Sequence, residues 1–157
     1  MKFGLTVILL SAAAAQLPAQ EGFVYWPGGK LKGYSSALKA KAAADKKGAV
    51  ATEQLGNKGN FTFMVARRDQ NGEPEVHANW NDIFIAQDGE ATLLYGGKVE
   101  GGRETQPGET RGGKIVGGTA QKLAAGDMAV IPAGMPHQTN VDAGKSFTYM
   151  VIKVEKK

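Results

Sequence analysis

From Asn60 onward the chain alternates short apolar runs with glycine-rich breaks: "FTFMVARR", "PEVHA", "DIFIAQ", "ATLLYGG", "KIVGG", "MAVIP" and "SFTYMVIKVE". In the first run Phe61, Phe63 and Val65 alternate with Thr62, Met64 and Ala66, and a period of two sends successive side chains to opposite faces of a strand. Short runs of this kind, separated by turn residues, predict an all-β fold. The "DGE" at Asp88 to Glu90 predicts a tight hairpin between two apolar strands. Gly96 to Gly118 is one long irregular region, read as two strands interrupted by a loop. Loops of that length are often functional, so Glu109 and Arg111 within it are candidates to close over a site or to form a surface ion pair.

Upstream the pattern changes. The alanines, leucine and lysines of "YSSALKAKAAADKKG" favour a helix, with Ser35 or Ser36 as its cap and Gly48 as its stop. The preceding "EGFVYWPGGK" reads as an extended aromatic arm closed by a Pro-Gly-Gly turn. Before that, Lys2, the apolar "GLTVILLSAAAA" and the small residues after it have the order of a secretory signal, with cleavage expected after Ala15 or near Ala19. The expected organisation is therefore a signal peptide over 1–20, an arm and helix over 21–59, and a β domain over 60–157. Secretion or a periplasmic location follows as an expectation, and the apolar run is too short for a comfortable membrane anchor in the mature form.

Composition narrows the chemistry. With no cysteine, any metal must be held by nitrogen and oxygen, and stability must come from burial and backbone pairing. The formal charge is +4, and it drops by one with Lys2. The lysine runs lack interleaved aromatics suited to base stacking, which argues against a nucleic-acid partner. There is no G-x-S-x-G elbow, no phosphate-binding P-loop, no dinucleotide fingerprint and no thiol nucleophile.

Candidate chemistry rests on the two histidines, His77 and His137. In "GDMAVIPAGMPHQTN" the residues Gly126, Pro132, Gly134 and His137 stand at the offsets of the second motif of the cupin superfamily, with Asn140 one residue early. Upstream, "EVHANWNDIFIAQDG" is similar to the first cupin motif in a degraded form. Counted back from Gly89, Asp82 stands at that motif's glutamate, His77 at its second histidine and Glu75 at its first. The resemblance covers about Phe61 to Glu155 and implies a jelly-roll β-barrel, here with the short N-terminal helix after the signal peptide. More narrowly, the chain resembles small exported single-domain bacterial cupins, a likeness that carries no established activity with it.

Glu75 and His77, two apart on a strand, would share a face. If the barrel sets His137 opposite, the groups suit one divalent Fe, Mn, Zn, Ni or Cu ion. The expected ligands are His77, His137 and Asp82, with Glu75 as fourth ligand or as an acid/base beside the metal. Aspartate is one methylene short, so Asp82 has the alternative role of orienting a histidine ring. Trp80, in the turn between the motif strands, is a candidate cap for the pocket, Arg67 and Arg68 are candidates to meet an anionic substrate, and Tyr149 is a candidate pocket wall or core residue. The expected function is an exported cupin that holds a divalent metal and binds or transforms a small organic molecule by dioxygenase, isomerase or lyase chemistry. The alternative is a metal-free barrel binding a carbohydrate or small acid. A homodimer, with the aromatic arm crossing to a second copy, is a further expectation.

Overall fold

The computed structural model describes residues 23–44 and 50–157; the signal peptide, its cleavage positions and the helix stop expected at Gly48 lie outside them. Helix α1 spans Gly28–Ala44 and so begins before the expected serine cap. The Pro27 carbonyl accepts the first intrahelical bonds, from the amides of Lys30 at 2.9 Å and Leu31 at 3.1 Å, so Pro-Gly-Gly opens the helix instead of closing a turn. Ser35 lies inside the helix, where its hydroxyl donates to Asp88 Oδ2 at 3.1 Å and stands 3.3 Å from Thr148 Oγ1, fastening the helix to the sheet. Ahead of the helix, Trp26 packs on Phe63 of its own chain, while Phe23 and Tyr25 are 73% and 71% exposed.

Leu38 and Ala42, one helical turn apart, bury against Ala51 and Val65, with Tyr34 and Leu55 alongside. Leu38 is 1% exposed. Its replacement by alanine is expected to cost about 2–4 kcal/mol, the transfer term plus a cavity. Urea unfolding should show it, and a loss below about 1 kcal/mol would mean that α1 is not a fixed part of the domain.

The strands are β1 Val50–Lys58, β2 Phe61–Arg68, β3 Glu75–His77, β4 Trp80–Tyr95, β5 Lys98–Glu100, β6 Arg103–Gln106, β7 Glu109–Arg111, β8 Lys114–Val116, β9 Thr119–Ala124, β10 Met128–Ile131, β11 His137–Asn140 and β12 Phe147–Glu155. The sheet thus begins at Val50, inside the segment expected to hold only arm and helix, because β1 pairs antiparallel with β2 from Val50↔Arg68 to Lys58↔Phe61. All strands but β5 and β8 belong to one curled antiparallel sheet, and β4 connects its two layers. The first half of β4 pairs with β12 and β10, in line with β2 and β1. Its second half pairs with β9 and β11, which leads on through β3 and β7 to β6.

The expected hairpin at Asp88 to Glu90 is therefore a corner within one continuous strand. Gly89 has φ +76° there, and a β-carbon on it would collide with the Ser146 carbonyl oxygen, so the tight "DGE" geometry serves a bend between layers. Gly96 to Gly118 also differs from the two interrupted strands expected: β5 pairs with β8 around a nested β6–β7 hairpin. Between the layers lies the core of Ala66, Phe84, Leu93, Ile131, Phe147 and Tyr149 with their neighbours. Among the described residues no helix is long and apolar enough to cross a membrane.

Candidate metal centre

Register brings the motif residues together. On β3 and β11, Glu75 pairs directly with His137, and His77 lies two residues along β3 on the same face. Pro132 follows the end of β10, Gly134 turns with φ +82°, and its amide donates to the His77 carbonyl at 2.8 Å, holding the turn against β3. Asp82 comes from the first half of β4, in the other layer. Glu75 Oε2 lies 3.4 Å from His77 Nε2 and 3.9 Å from His137 Nε2, and Asp82 Oδ2 lies 3.5 and 3.8 Å from the same nitrogens. Donors around one tetrahedral ion are about 3.4 Å apart, so these side chains sit close to the spacing one ion needs. Glu75, His77 and His137 form the tight set, with donor atoms all within 4.8 Å. Asp82 approaches the same nitrogens but also accepts from Lys153 Nζ with both oxygens, at 2.7 and 2.9 Å.

The far side of each imidazole fixes its tautomer. His77 Nδ1–H donates to Glu109 Oε2 at 2.5 Å, and His137 Nδ1–H donates to the Met135 carbonyl at 3.2 Å. In the neutral ring each Nε2 therefore turns a lone pair toward the cluster, and both are buried without a hydrogen-bond partner. Buried polar atoms are normally satisfied, because stripping their water without replacement is costly. A divalent cation satisfies both at once, so the residues present fit a metal.

Charge favours a cation at this point. Burial resists ionisation of Glu75, but the facing His77 imidazole and the Arg111 and Arg68 guanidiniums outweigh it and bring the carboxyl down to about 2. Burial likewise works against a charge on His77, yet the Glu75, Asp82 and Glu109 carboxylates raise its pKa above the ordinary histidine value. In the more deeply enclosed His137 burial prevails and the pKa falls. Carboxylates that stabilise a proton on His77 equally stabilise a metal ion in its place.

No family model matches the chain, and no curated protein matches it either. Solved structures do. An uncharacterized conserved protein with a double-stranded beta-helix domain from Klebsiella pneumoniae superposes with a TM-score of 0.52 at 16% identity, over 73% of this chain and 84% of that one. The polyketide cyclase RemF from Streptomyces resistomycificus gives 0.50 at 13% identity, over 69% and 68%. Oxalate oxidase in complex with glycolate gives 0.50 at 16% identity over 69% of this chain, which spans about half (52%) of that enzyme. The chain has the cupin fold. At these identities the likeness concerns architecture alone.

Two cavities reach the cluster among the described residues. One, of about 240 Å³, lies inside the barrel against Met64, Phe84, Tyr149 and Val151, with Val50 and Thr52 at the β1 side. The other, of about 380 Å³, opens between Asn79, Trp80 and the β6–β7 hairpin. Trp80 thus opens β4, paired with Glu155, instead of sitting in a turn. Tyr149 lines the inner cavity, and its hydroxyl accepts from Arg68 Nε at 2.9 Å. Arg67 lines neither cavity: strand alternation sends it to the opposite face, where it pairs with Asp69 at 2.9 Å. Its neighbour Arg68 points inward and reaches Glu75 Oε1 at 3.2 Å.

The hairpin residues turn out to belong to the site. Arg111 Nη1 lies 2.7 Å from Glu75 Oε1, and Glu109 holds His77. Glu109 is the outer carboxylate of a carboxylate–histidine arrangement that fixes ring orientation and ligand basicity. Glu109→Gln is expected to weaken metal affinity about 10- to 100-fold, measured by competition with a chromophoric chelator. Unchanged affinity would show that the hairpin does not tune the site.

Proposed function

We propose that this cupin binds one divalent metal ion through His77, His137 and Glu75, with Asp82 at the edge of the site, and that the loaded barrel binds or transforms a small organic molecule. The observation that supports this most is the pair of buried, unpartnered Nε2 atoms facing an ionised carboxylate. When bound, the metal would supply a Lewis acid or a redox centre. The side chains do the rest: Glu109 and the Met135 carbonyl orient the rings, Arg68 and Arg111 hold Glu75 by one oxygen, and Met64, Phe84 and Val151 give the inner cavity an apolar wall. Glu75 stands with both imidazoles in the tight donor set, which supports its role as a ligand.

The test is thermal unfolding of the chain without its leader, first stripped with chelator and then supplied in turn with Fe(II), Mn(II), Zn(II), Ni(II) and Cu(II). A ligand at a hundred times its Kd stabilises the folded state by about 2.7 kcal/mol, so at least one metal should raise Tm by several degrees, and the rise should vanish in His137→Ala. No rise with any of the five supports the metal-free binding barrel instead. Export belongs to the same proposal and is supported by residues 1–20 alone. Mass spectrometry of the chain from its native host should find a new N-terminus after Ala15 or near Ala19 in the secreted or periplasmic fraction, and an intact Met1 there would contradict it.

A further inference from the structure

The balance of charge around the cluster says something about the ligand. Arg68 and Arg111 both pair with Glu75, Lys153 pairs with Asp82, and Glu109 lies near Arg111 at 3.9 Å while holding His77. Three cationic side chains thus face three carboxylates, and imidazoles ligate metals only as neutral rings. With both rings neutral, as a metal requires, these groups sum to zero. After a divalent ion enters, two positive charges are left uncompensated inside a barrel whose nearest wall is apolar, where charge is screened far less than in water.

The cavity also has one apolar row, bracketed on its own sheet by the Asp82–Lys153 pair on one side and by Tyr149 and Arg68 on the other. Met64, Val151 and Phe84 form one row across three strands, fixed by the pairs Val151↔Met64 and Val151↔Phe84, and Ala66 lies next to it. Across from this row stand His137, Glu75 and Arg111. Arg111 is the most accessible of the three cations: its side chain is 36% exposed, it lines both cavities, and one bond at 2.7 Å to Glu75 engages only part of its five-donor fork. The inner volume of about 240 Å³ equals that of roughly eight waters at about 30 Å³ each, enough for a short acyl chain.

Resting on the metal reading above, we propose that the ligand of the inner cavity is a small monocarboxylate with an apolar body. Its carboxylate lies beside the cation and Arg111, and its hydrocarbon part lies along Met64, Val151 and Phe84. A neutral isostere leaves the excess charge uncompensated, so the site discriminates by charge at one end and by apolar area at the other.

The experiment uses the chain loaded with Co(II), whose visible absorption reports changes at the site, titrated with acetate, butyrate and hexanoate and with butyramide and hexanamide. Butyrate and hexanoate should change the cobalt spectrum saturably, with hexanoate at least about tenfold tighter than acetate as apolar area is buried, while the amides have no effect at tenfold higher concentration. Compared with the unaltered chain at equal cobalt occupancy, Arg111→Gln should bind hexanoate at least about tenfold more weakly. Amides that bind as well as the acids, or an Arg111→Gln chain with unchanged hexanoate affinity, would overturn the proposal while leaving the metal site standing. Hexanoate binding of equal strength to the cobalt-free chain would also overturn it. Failure to take up cobalt or any of the five ions named above would remove the metal reading itself, and this inference with it.

Discussion

Gly89→Ala is expected to destabilise the barrel by about 3 kcal/mol or more, a large share of the roughly 5–15 kcal/mol that holds a typical domain folded. Two costs combine. The residue sits at φ +76°, where an L side chain is strained by about 1–2 kcal/mol. Its β-carbon would also overlap the Ser146 carbonyl oxygen, a backbone atom that cannot move without shifting β12. The strand cannot yield easily, since β4 carries both layers and β12 is paired with it from Phe147↔Gly89 onward. Gly134→Ala is the control, for it has φ +82° but nothing within 4 Å of an added β-carbon, so only the backbone term of about 1–2 kcal/mol applies. Urea unfolding of both variants checks the difference. Equal costs would mean that the corner at Gly89 relaxes freely and that the layers are not fixed by it.

The second large effect concerns the two histidines. His77→Ala and His137→Ala should each reduce metal affinity by more than about 100-fold, beyond the range for an outer-sphere partner. Each removes one of only two nitrogens in the tight set, and no other described His or Cys stands in it. The two variants should nevertheless behave differently without metal. His77→Ala strands the Glu109 carboxylate that accepted its Nδ1–H, whereas His137→Ala frees only a backbone carbonyl. Chelator competition and unfolding of the metal-free chains separate these effects. Retention of near-normal affinity in either variant would place the ion elsewhere.

What the sequence made legible follows physical lines. The interior strands β2 and β12 carry dense apolar periodicity, β10 is a short apolar run, and the turn residues Pro132 and Gly134 have backbone roles that only those residue types fill easily. The fold and the histidine pair were therefore readable. β1 and β9 were not, because "VATEQLGNK" and "TAQKLA" each bury only one residue fully and so show no alternation. Ser35 looked like a cap because serine favours that position, but its hydroxyl instead meets Asp88 and Thr148 across the helix–sheet contact. Asp88 to Glu90 looked like a hairpin because a tight turn and a strand corner ask for the same glycine.

At the site, the neighbours of the candidate ligands were the least visible. Arg68 was half legible: counting by two from Met64 and Ala66 puts it on the cavity face and Arg67 on the other. Lys153 and the exact partners of Glu109 depend on which strands lie side by side, and β12, β4 and β7 are far apart in the chain. No local pattern encodes that pairing. The same holds for the exchange of emphasis between Glu75 and Asp82, since it is Lys153 that engages both Asp82 oxygens while Arg68 and Arg111 leave one oxygen of Glu75 facing the imidazoles.

The most direct measurement is the metal content of the untagged chain, purified without its leader and dialysed after reconstitution with each of the five divalent ions. About one ion per chain is expected for at least one of them, falling to background when His77 and His137 are both replaced by alanine. Background metal in the unaltered chain with all five ions would contradict the metal centre, and the two facing imidazoles would then be walls of a metal-free binding pocket.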